Sequence, residues 1–130
     1  MYTSFKDMPV WQEAMALAEE VFRATEKLPR KEDYGLTSQI RRAALSISAN
    51  IAEAYGREHT ADKVNFYYFA RGSVTETQSH LEYGRRVGYF NEAKAKELDR
   101  GLSEILRELN TLILSLRRSA PRVFQPKPQP

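Results

Sequence analysis

Apolar side chains recur at alternating steps of three and four residues along four stretches of the chain, which is the repeat of an amphipathic α-helix. The clearest stretch lies near the C-terminus, where the steps are 4, 3, 4, 3 and 4 over Leu98, Leu102, Ile105, Leu109, Leu112 and Leu116. This pattern predicts a helix over residues 92–118, with Asn91 as its N-cap.

Three earlier stretches share this periodicity and predict helices over residues 8–28, 36–57 and 61–87. The first helix carries two adjacent apolar stripes, so its apolar face is wider than one bundle needs. Pro29 ends the first helix and Gly88 ends the third. The predicted core of the second helix is Leu36, Ile40, Ala44, Ile47, Ile51 and Ala54. The predicted apolar surface of the third is Val64, Phe66, Phe69, Ala70, Thr77, Leu81 and Tyr83.

The distribution of proline and glycine favours an all-α fold. Residues 30–120 contain no proline, which permits long helices, and no Asn-Gly or Asp-Gly turn separates alternating runs. Because the connections are short, consecutive helices are expected to run antiparallel. The sequence therefore predicts an up-down-up-down four-helix bundle over residues 1–118, followed by a Pro-rich basic tail, extended or disordered, over residues 119–130.

The net charge of +3 is unevenly distributed. Residues 117–130 contain four basic side chains and no acidic one, whereas residues 1–116 contain 16 basic and 17 acidic side chains. The body of the domain is therefore close to neutral, and any attraction for a phosphate backbone is concentrated in the tail.

Composition excludes several kinds of chemistry. The chain has no cysteine and only two histidines, which excludes a disulfide scaffold, a cysteine nucleophile and a histidine-rich metal cluster. Glu53 and Glu76 lack the Glu-x-x-His pattern of a di-metal bundle site, and no phosphate-binding loop or nucleophile elbow occurs. We predict no enzymatic activity, no cofactor and no metal. With no apolar run near about 18 residues and no signal peptide, we predict a cytoplasmic protein without a membrane partner.

Four consecutive aromatic residues, Phe66, Tyr67, Tyr68 and Phe69, do not fit a single bundle. At about 100° per residue they point around most of the helix, and one core accommodates about two of them. The others are expected on the outside or against another chain, together with Trp11 of the first helix. This excess favours self-association. The alternative is that the tyrosines lie flat on a wet surface.

A polar stripe lies beside the apolar stripe of the second helix and consists of Gln39, Arg42, Ser46, Asn50, Glu53 and Arg57. Ser73 and Glu76 share one face of the third helix. These residues are either an ordinary solvated surface or a polar network at a contact between helices or subunits. In the second case Arg42 would bridge to Glu53 or Glu76.

Several motifs occur in one order over about residues 5–118. They are Phe5-x5-Trp11-Gln12, Leu28-Pro29, Tyr34-Gly35-Leu36, Arg42-Ala43-Ala44-x-Ser46-Ile47-x-x-Asn50-Ile51-Ala52-Glu53 and Phe69-Ala70-x-Gly72-Ser73-x-x-Glu76. Together they resemble the small four-helix-bundle proteins encoded within intervening sequences of bacterial 23S ribosomal RNA genes. One departure is Ala54, where that family usually has glycine.

The resemblance implies a closed homopentameric ring without catalytic residues. It also implies a distant similarity to the accessory variability protein of diversity-generating retroelements, which works with a reverse transcriptase and nucleic acid. We therefore expect an adaptor that binds RNA or DNA, or alternatively a protein-interaction scaffold such as a partner of a reverse transcriptase. Candidate phosphate-binding residues are Arg41, Arg42, Arg85, Arg86, Arg117, Arg118, Arg122 and Lys127. The helix-borne pairs could equally be a solvated surface or salt bridges between subunits.

Overall fold

A computed structural model describes residues 1–119, and within this range every regular element is a helix. The four long helices are α1 (Pro9–Thr25), α2 (Leu36–Gly56), α3 (Thr60–Arg86) and α4 (Glu92–Ser119). Short 3-10 helices occupy Phe5–Asp7 and Arg30–Glu32. The prediction of an all-α chain with four helices is confirmed. Ser119 is the last residue of α4, and the rest of the predicted tail lies outside the described residues.

Helix α1 ends about one turn earlier than Pro29 alone predicts. The hydroxyl of Thr25 lies 2.8 Å from the carbonyl oxygen of Val21 and 2.9 Å from that of Phe22. Because these contacts satisfy carbonyls at the end of the helix, the chain can leave the helical path at Thr25. The next residues form a turn that leads into the 3-10 helix after Pro29.

Helix α3 ends as predicted, on Gly88. Its φ of 91° is the left-handed conformation that glycine adopts without a Cβ penalty. The amide of Tyr89 donates to the carbonyl of Gly84 at 2.8 Å, and the amide of Gly88 donates to that of Arg85 at 3.1 Å. These two bonds form a Schellman motif, which turns the chain sharply toward α4.

The core is a single cluster lined by the four helices. All six core residues predicted on α2 are buried, and the α4 seam is buried at every position except the half-buried Leu112 and Leu116. The largest side chains with no more than 1% exposure include Ile40, Ile47, Ile51, Leu98, Leu102, Ile105 and Leu109. Burial of such aliphatic side chains contributes about 1.5–3 kcal/mol each to folding.

Each long helix packs against two of the others, in the cyclic order α1, α2, α3, α4. The contact between α2 and α3 is the most extensive of the four, and the contact between α1 and α4 is the smallest. The chain is therefore a four-helix bundle whose least extensive contact joins its first and last helices.

Candidate interaction surfaces

The aromatic run on α3 is divided between the core and the outside. Tyr67 and Tyr68 are buried, with 5% and 7% of their surfaces exposed, whereas Phe69 is 51% exposed. Phe66 is half-buried and packs edge-on against Phe69, with ring centroids 5.5 Å apart. Two of the four rings therefore lie in the core, Phe66 packs against its edge, and Phe69 lies outside it.

The assignment of individual rings was wrong in part. Tyr67 and Tyr68 belong to the core of this chain and are not free for an interface. Phe69 does not supply core surface, because about half of its side chain is exposed. The hydroxyl of Tyr68 keeps a polar partner near the bundle edge, since Arg117 Nη1 donates to it at 3.4 Å. A phenylalanine has no such polar group to satisfy.

Helices α1 and α2 expose a second set of apolar side chains. Phe22 is 51% exposed and Leu45 is 55% exposed. The guanidinium of Arg41 lies 4.4 Å from the centre of the Phe22 ring, and Leu45 follows Arg41 by one helical turn on α2. Trp11, which was predicted at an interface, is half-buried and packs edge-on against Phe5 at 5.1 Å.

The sequence analysis did not predict Leu45 as an exposed apolar residue. It lies on the side of α2 opposite the core stripe, between the buried Ala44 and the polar Ser46. Its position opposite the core stripe of α2 could have been found from the sequence, because an apolar residue on the outer side of an amphipathic helix indicates exposed apolar surface. We use the name outer apolar surface for Phe22, Leu45, Phe66 and Phe69 together.

The predicted polar network forms only at its centre. The hydroxyls of Ser46 and Ser73 are 3.1 Å apart across the contact between α2 and α3. The side-chain amide of Asn50 donates to the backbone carbonyl of Ser46 at 2.9 Å and to its hydroxyl at 3.1 Å. Ser73 is buried, while Ser46 and Asn50 are half-buried. The Ser46–Ser73 bond therefore joins the two helices, and Asn50 supports it from within α2.

The remaining polar residues lie outside this network. Glu53 pairs with Arg57 at 3.2 Å, and Glu76 contacts His80 at 3.4 Å. Arg42 and Gln39 are exposed, and neither bonds to another side chain in residues 1–119. The expected bridge from Arg42 to Glu53 or Glu76 is absent there, because each carboxylate finds a partner four residues along its own helix.

Several of the candidate phosphate-binding arginines already have partners in the fold. Arg41 Nε donates to the Thr25 hydroxyl at 2.7 Å, and its Nη2 donates to the carbonyl of Phe22 at 3.3 Å, so it completes the end of α1. Arg85 and Arg86 both bind Glu82, each at 2.8 Å. These hydrogen bonds lower the pKa of Glu82 to about 2.

The end of α4 carries the other two described candidates. Arg117 contacts the Tyr68 hydroxyl, and Arg118 is exposed without an ion pair to any residue the structure describes. Arg122 and Lys127 lie outside the described residues. The exposed cations with no partner in the described chain are therefore, among the candidates, Arg42 on α2 and Arg118 on α4.

Two further observations concern residues 1–119. No three histidine, cysteine, aspartate or glutamate side chains are grouped so as to hold a metal ion. None of the helices in this range combines the length and the apolar character that a membrane crossing requires.

Comparisons with known proteins identify a family and a structural neighbour. The family model described as 23S rRNA-intervening sequence protein matches residues 6–111. A crystal structure at 1.70 Å of a protein of unknown function, from the S23 ribosomal protein family of Bacteroides thetaiotaomicron, is similar with a TM-score of 0.73. It is 24% identical in sequence and covers 80% of this chain and 97% of its own. No curated protein matches the chain.

Proposed function

Since the chain belongs to the 23S rRNA-intervening sequence protein family, we propose that it is a non-enzymatic adaptor that assembles with copies of itself and binds RNA. In this proposal the four helices run antiparallel and five subunits close into a ring. The observation that carries it is the outer apolar surface, which leaves large side chains about half exposed on neighbouring helices.

Contacts between the helices support the antiparallel arrangement. Lys63, near the start of α3, donates to the carbonyl of Ala54, near the end of α2, at 3.2 Å. Ser46 and Ser73 meet near the middle of the same two helices. Gln78 of α3 donates to Asp99, early in α4, at 3.1 Å, whereas Tyr68 contacts Arg117, late in α4. Early residues of one helix thus lie beside late residues of the next.

The outer apolar surface supports assembly through neighbouring subunits. A single exposed leucine or phenylalanine is common on a monomer. Here Phe22 and Leu45 lie on the α1–α2 side of the bundle and Phe69 lies on α3, so two adjacent sides of one subunit are apolar. Different patches that meet head to tail generate a closed ring when the rotation between subunits is right.

Assembly also makes RNA binding by a nearly neutral subunit reasonable. A ring repeats Arg118 in every subunit, and the basic residues 122 and 127 follow α4 in sequence. Several weak phosphate contacts on one particle act together, so the affinity of the assembly exceeds that of one copy. We therefore place the RNA contact on the face of the assembled ring that carries the C-terminal ends of the α4 helices.

The assembly is tested by the mass of the full chain in solution. We expect the wild type to be a pentamer by light scattering and native mass spectrometry at micromolar concentration. Leu45→Ser should shift the mass toward smaller species, because it removes apolar surface from the proposed contact. Leu114→Ser is the matched control, since Leu114 is 48% exposed on α4, away from the outer apolar surface. A monomeric wild type, or equal masses for both variants and wild type, would contradict the assembly.

RNA binding is tested separately by a gel shift over a range of salt concentrations. We expect binding at low salt. The logarithm of the binding constant should fall linearly with the logarithm of the salt concentration, and this slope should become shallower by about one for each phosphate contact that a variant loses. Arg118→Gln should reduce the slope, and Glu19→Gln, a change on exposed α1 surface, should not. An intact assembly that binds no RNA at low salt would remove the RNA part of the proposal and leave the assembly standing.

One observation favours the alternative of a protein-interaction scaffold. The edge-on Phe66–Phe69 pair stands on the outside of α3, and aromatic clusters of this kind anchor protein partners. If the wild type were a monomer and Phe69→Ser abolished binding to a purified partner such as a reverse transcriptase, the scaffold function would replace the ring.

A further inference from the structure

An apolar groove lies between the first turn of α1 and the second half of α4. Its volume is about 370 Å³. The apolar groups that line it are Tyr2, Met8, Pro9, Val10 and Leu112. The groove lies at the least extensive helix–helix contact of the bundle, and Leu112 is one of the two seam residues of α4 that remain half-buried. Residues 1–119 therefore line this groove without closing it over.

One side of the groove is acidic. Glu104 and Glu108 both line it, and Arg107 is the one cation that lines it among residues 1–119. The Arg107 guanidinium is bonded to Glu104, whereas the Oε2 atom of Glu108 is buried without a hydrogen-bond partner in this part of the chain. Burial raises the pKa of Glu108 to about 7, as expected for a carboxyl group that is not paired with a cation. The groove thus offers apolar surface beside one carboxyl group that lacks an ion pair within the described chain.

A second groove continues the first along α4 toward the last described residue. It is lined by Thr111, Leu114, Ser115, Arg118 and Ser119. Thr111 also lines the apolar groove, so the two grooves adjoin. Positions 104, 108, 111, 115 and 118 are three or four residues apart and therefore lie on one face of α4. A continuous surface path leads from the end of α4 back to Glu108.

The segment that follows Ser119 matches this path in chemistry and in length. Residues 120–130 contain two basic side chains, one aromatic side chain, four prolines and no acidic residue. At about 1.5 Å per residue, Leu112 lies about 10 Å and Glu108 about 17 Å back along α4 from Ser119. An extended Pro-rich chain covers about 3.1 Å per residue. If one or two residues reverse the chain, Phe124 comes level with Leu112 and Lys127 comes level with Glu108.

We propose that residues 120–130 fold back along α4 and dock in the apolar groove of their own subunit. The ring of Phe124 then covers the apolar lining, which removes apolar surface from water. The ammonium group of Lys127 lies beside the Glu108 carboxylate and supplies the missing ion pair. Proline restricts the free segment, so docking costs less conformational entropy than it would for a flexible one. A docked tail holds Lys127 against the bundle, so the groove competes for this segment with the RNA of the proposed function, although docking itself requires no RNA.

The test places one spin label on the tail of the full chain and measures its proximity to backbone amides by NMR. Because the chain has no cysteine, Gln125→Cys adds a single attachment site. With the tail docked, the amides of residues 8, 10 and 108–112 should lose intensity and recover it when the nitroxide is reduced. Residues 60–62, which begin α3 at the same end of the bundle, should keep theirs. Equal losses at both places would indicate a tail that does not occupy the groove, and would overturn the proposal.

Three variants of the labelled chain identify the contacts. Phe124→Ser should abolish the selective loss, and because position 124 follows the last helix, the bundle should still fold. Lys127→Gln should reduce the loss. Arg122→Gln is the matched control, since it removes the same charge at a position too close to Ser119 to reach Glu108. An unchanged loss in Phe124→Ser, or equal effects of the two charge variants, would contradict the proposed docking.

A mixing experiment separates docking within a subunit from docking between subunits. Spin-labelled chain without ¹⁵N is mixed with ¹⁵N-labelled chain that carries no spin label. Docking within one subunit predicts no loss of intensity in the ¹⁵N-labelled chain. If the groove amides of that chain lose intensity, the occupant is the tail of another copy, and docking within the subunit is wrong.

Discussion

The substitution Gly84→Ala tests how tightly Phe90 packs against α3. Gly84 is buried on α3, and a Cβ at this position would lie 2.5 Å from Cδ2 of Phe90 and 3.2 Å from Cδ2 of Leu36. Phe90 cannot swing outward freely, since its ring is 4% exposed and its backbone is fixed by the turn that Gly88 makes. The added methyl group must therefore displace a packed aromatic ring.

Two effects of opposite sign contribute to the outcome. Replacing glycine by alanine inside a helix stabilises it by about 1 kcal/mol. Overpacking of a well-filled site costs about 1–3 kcal/mol, and this contact is at the severe end because backbone holds the ring in place. We expect Gly84→Ala to lower the free energy of unfolding by about 1–2 kcal/mol.

Gly72→Ala is the matched control, on the same helix and with the same chemical change. Gly72 is exposed, and a Cβ there would meet no atom within 4 Å. Only the helix-propensity effect applies, so we expect a gain of about 0.5–1 kcal/mol. Urea unfolding of the two variants and the wild type, at one protein concentration, gives both differences. The close contact of Phe90 with α3 would be refuted if Gly84→Ala were as stable as Gly72→Ala.

Two further changes test the core and the charged surface. Leu109 is 0% exposed, so Leu109→Ala should cost about 2–5 kcal/mol in chemical unfolding, whereas Leu114→Ala should change stability by less than about 0.5 kcal/mol; equal effects would contradict the position of the α4 seam. The bonds from Arg85 and Arg86 hold the pKa of Glu82 near 2, below its ordinary 4.5, so they stabilise the fold above pH 4.5 and lose this effect as the pH falls through about 2. Glu82→Gln should therefore lower the melting temperature at pH 6 and have little effect at pH 2; the same decrease at both pH values would contradict the ion pairs.

The helices and most of the core can be predicted from the sequence, because the apolar residues of α2 and α4 fit a single helical periodicity. Their aliphatic residues recur at every third or fourth position, and the stripe that this defines is the buried one. The ends are less determined. The early end of α1 depends on a bond from the Thr25 hydroxyl to its own helix, and such local bonds compete with helix formation in a way that periodicity does not reveal.

The aromatic run shows a different kind of ambiguity. Four aromatic residues in succession point a ring in nearly every direction around α3. Periodicity therefore predicts how many rings the core can hold, but it does not predict which of the four are buried. The choice depends on the neighbours of α3. Arg71 stacks 4.8 Å from the Tyr68 ring, and Arg117 reaches its hydroxyl, so this tyrosine is buried with its polar end satisfied. The Arg117 contact joins residues that only the folded bundle brings together.

The sequence does not predict which basic residues are available to bind a ligand. Charge can be counted along the chain, but the availability of a charge depends on the partners that folding supplies. Arg41 must give up two hydrogen bonds to reach a phosphate, and Arg86 must leave the Glu82 carboxylate, whereas Arg118 gives up no ion pair within the described chain. Giving up these contacts offsets part of the gain from a new contact with phosphate. In the proposed complex with RNA, affinity should therefore depend on Arg118 more than on the paired arginines, even though all of them are equally basic in the sequence.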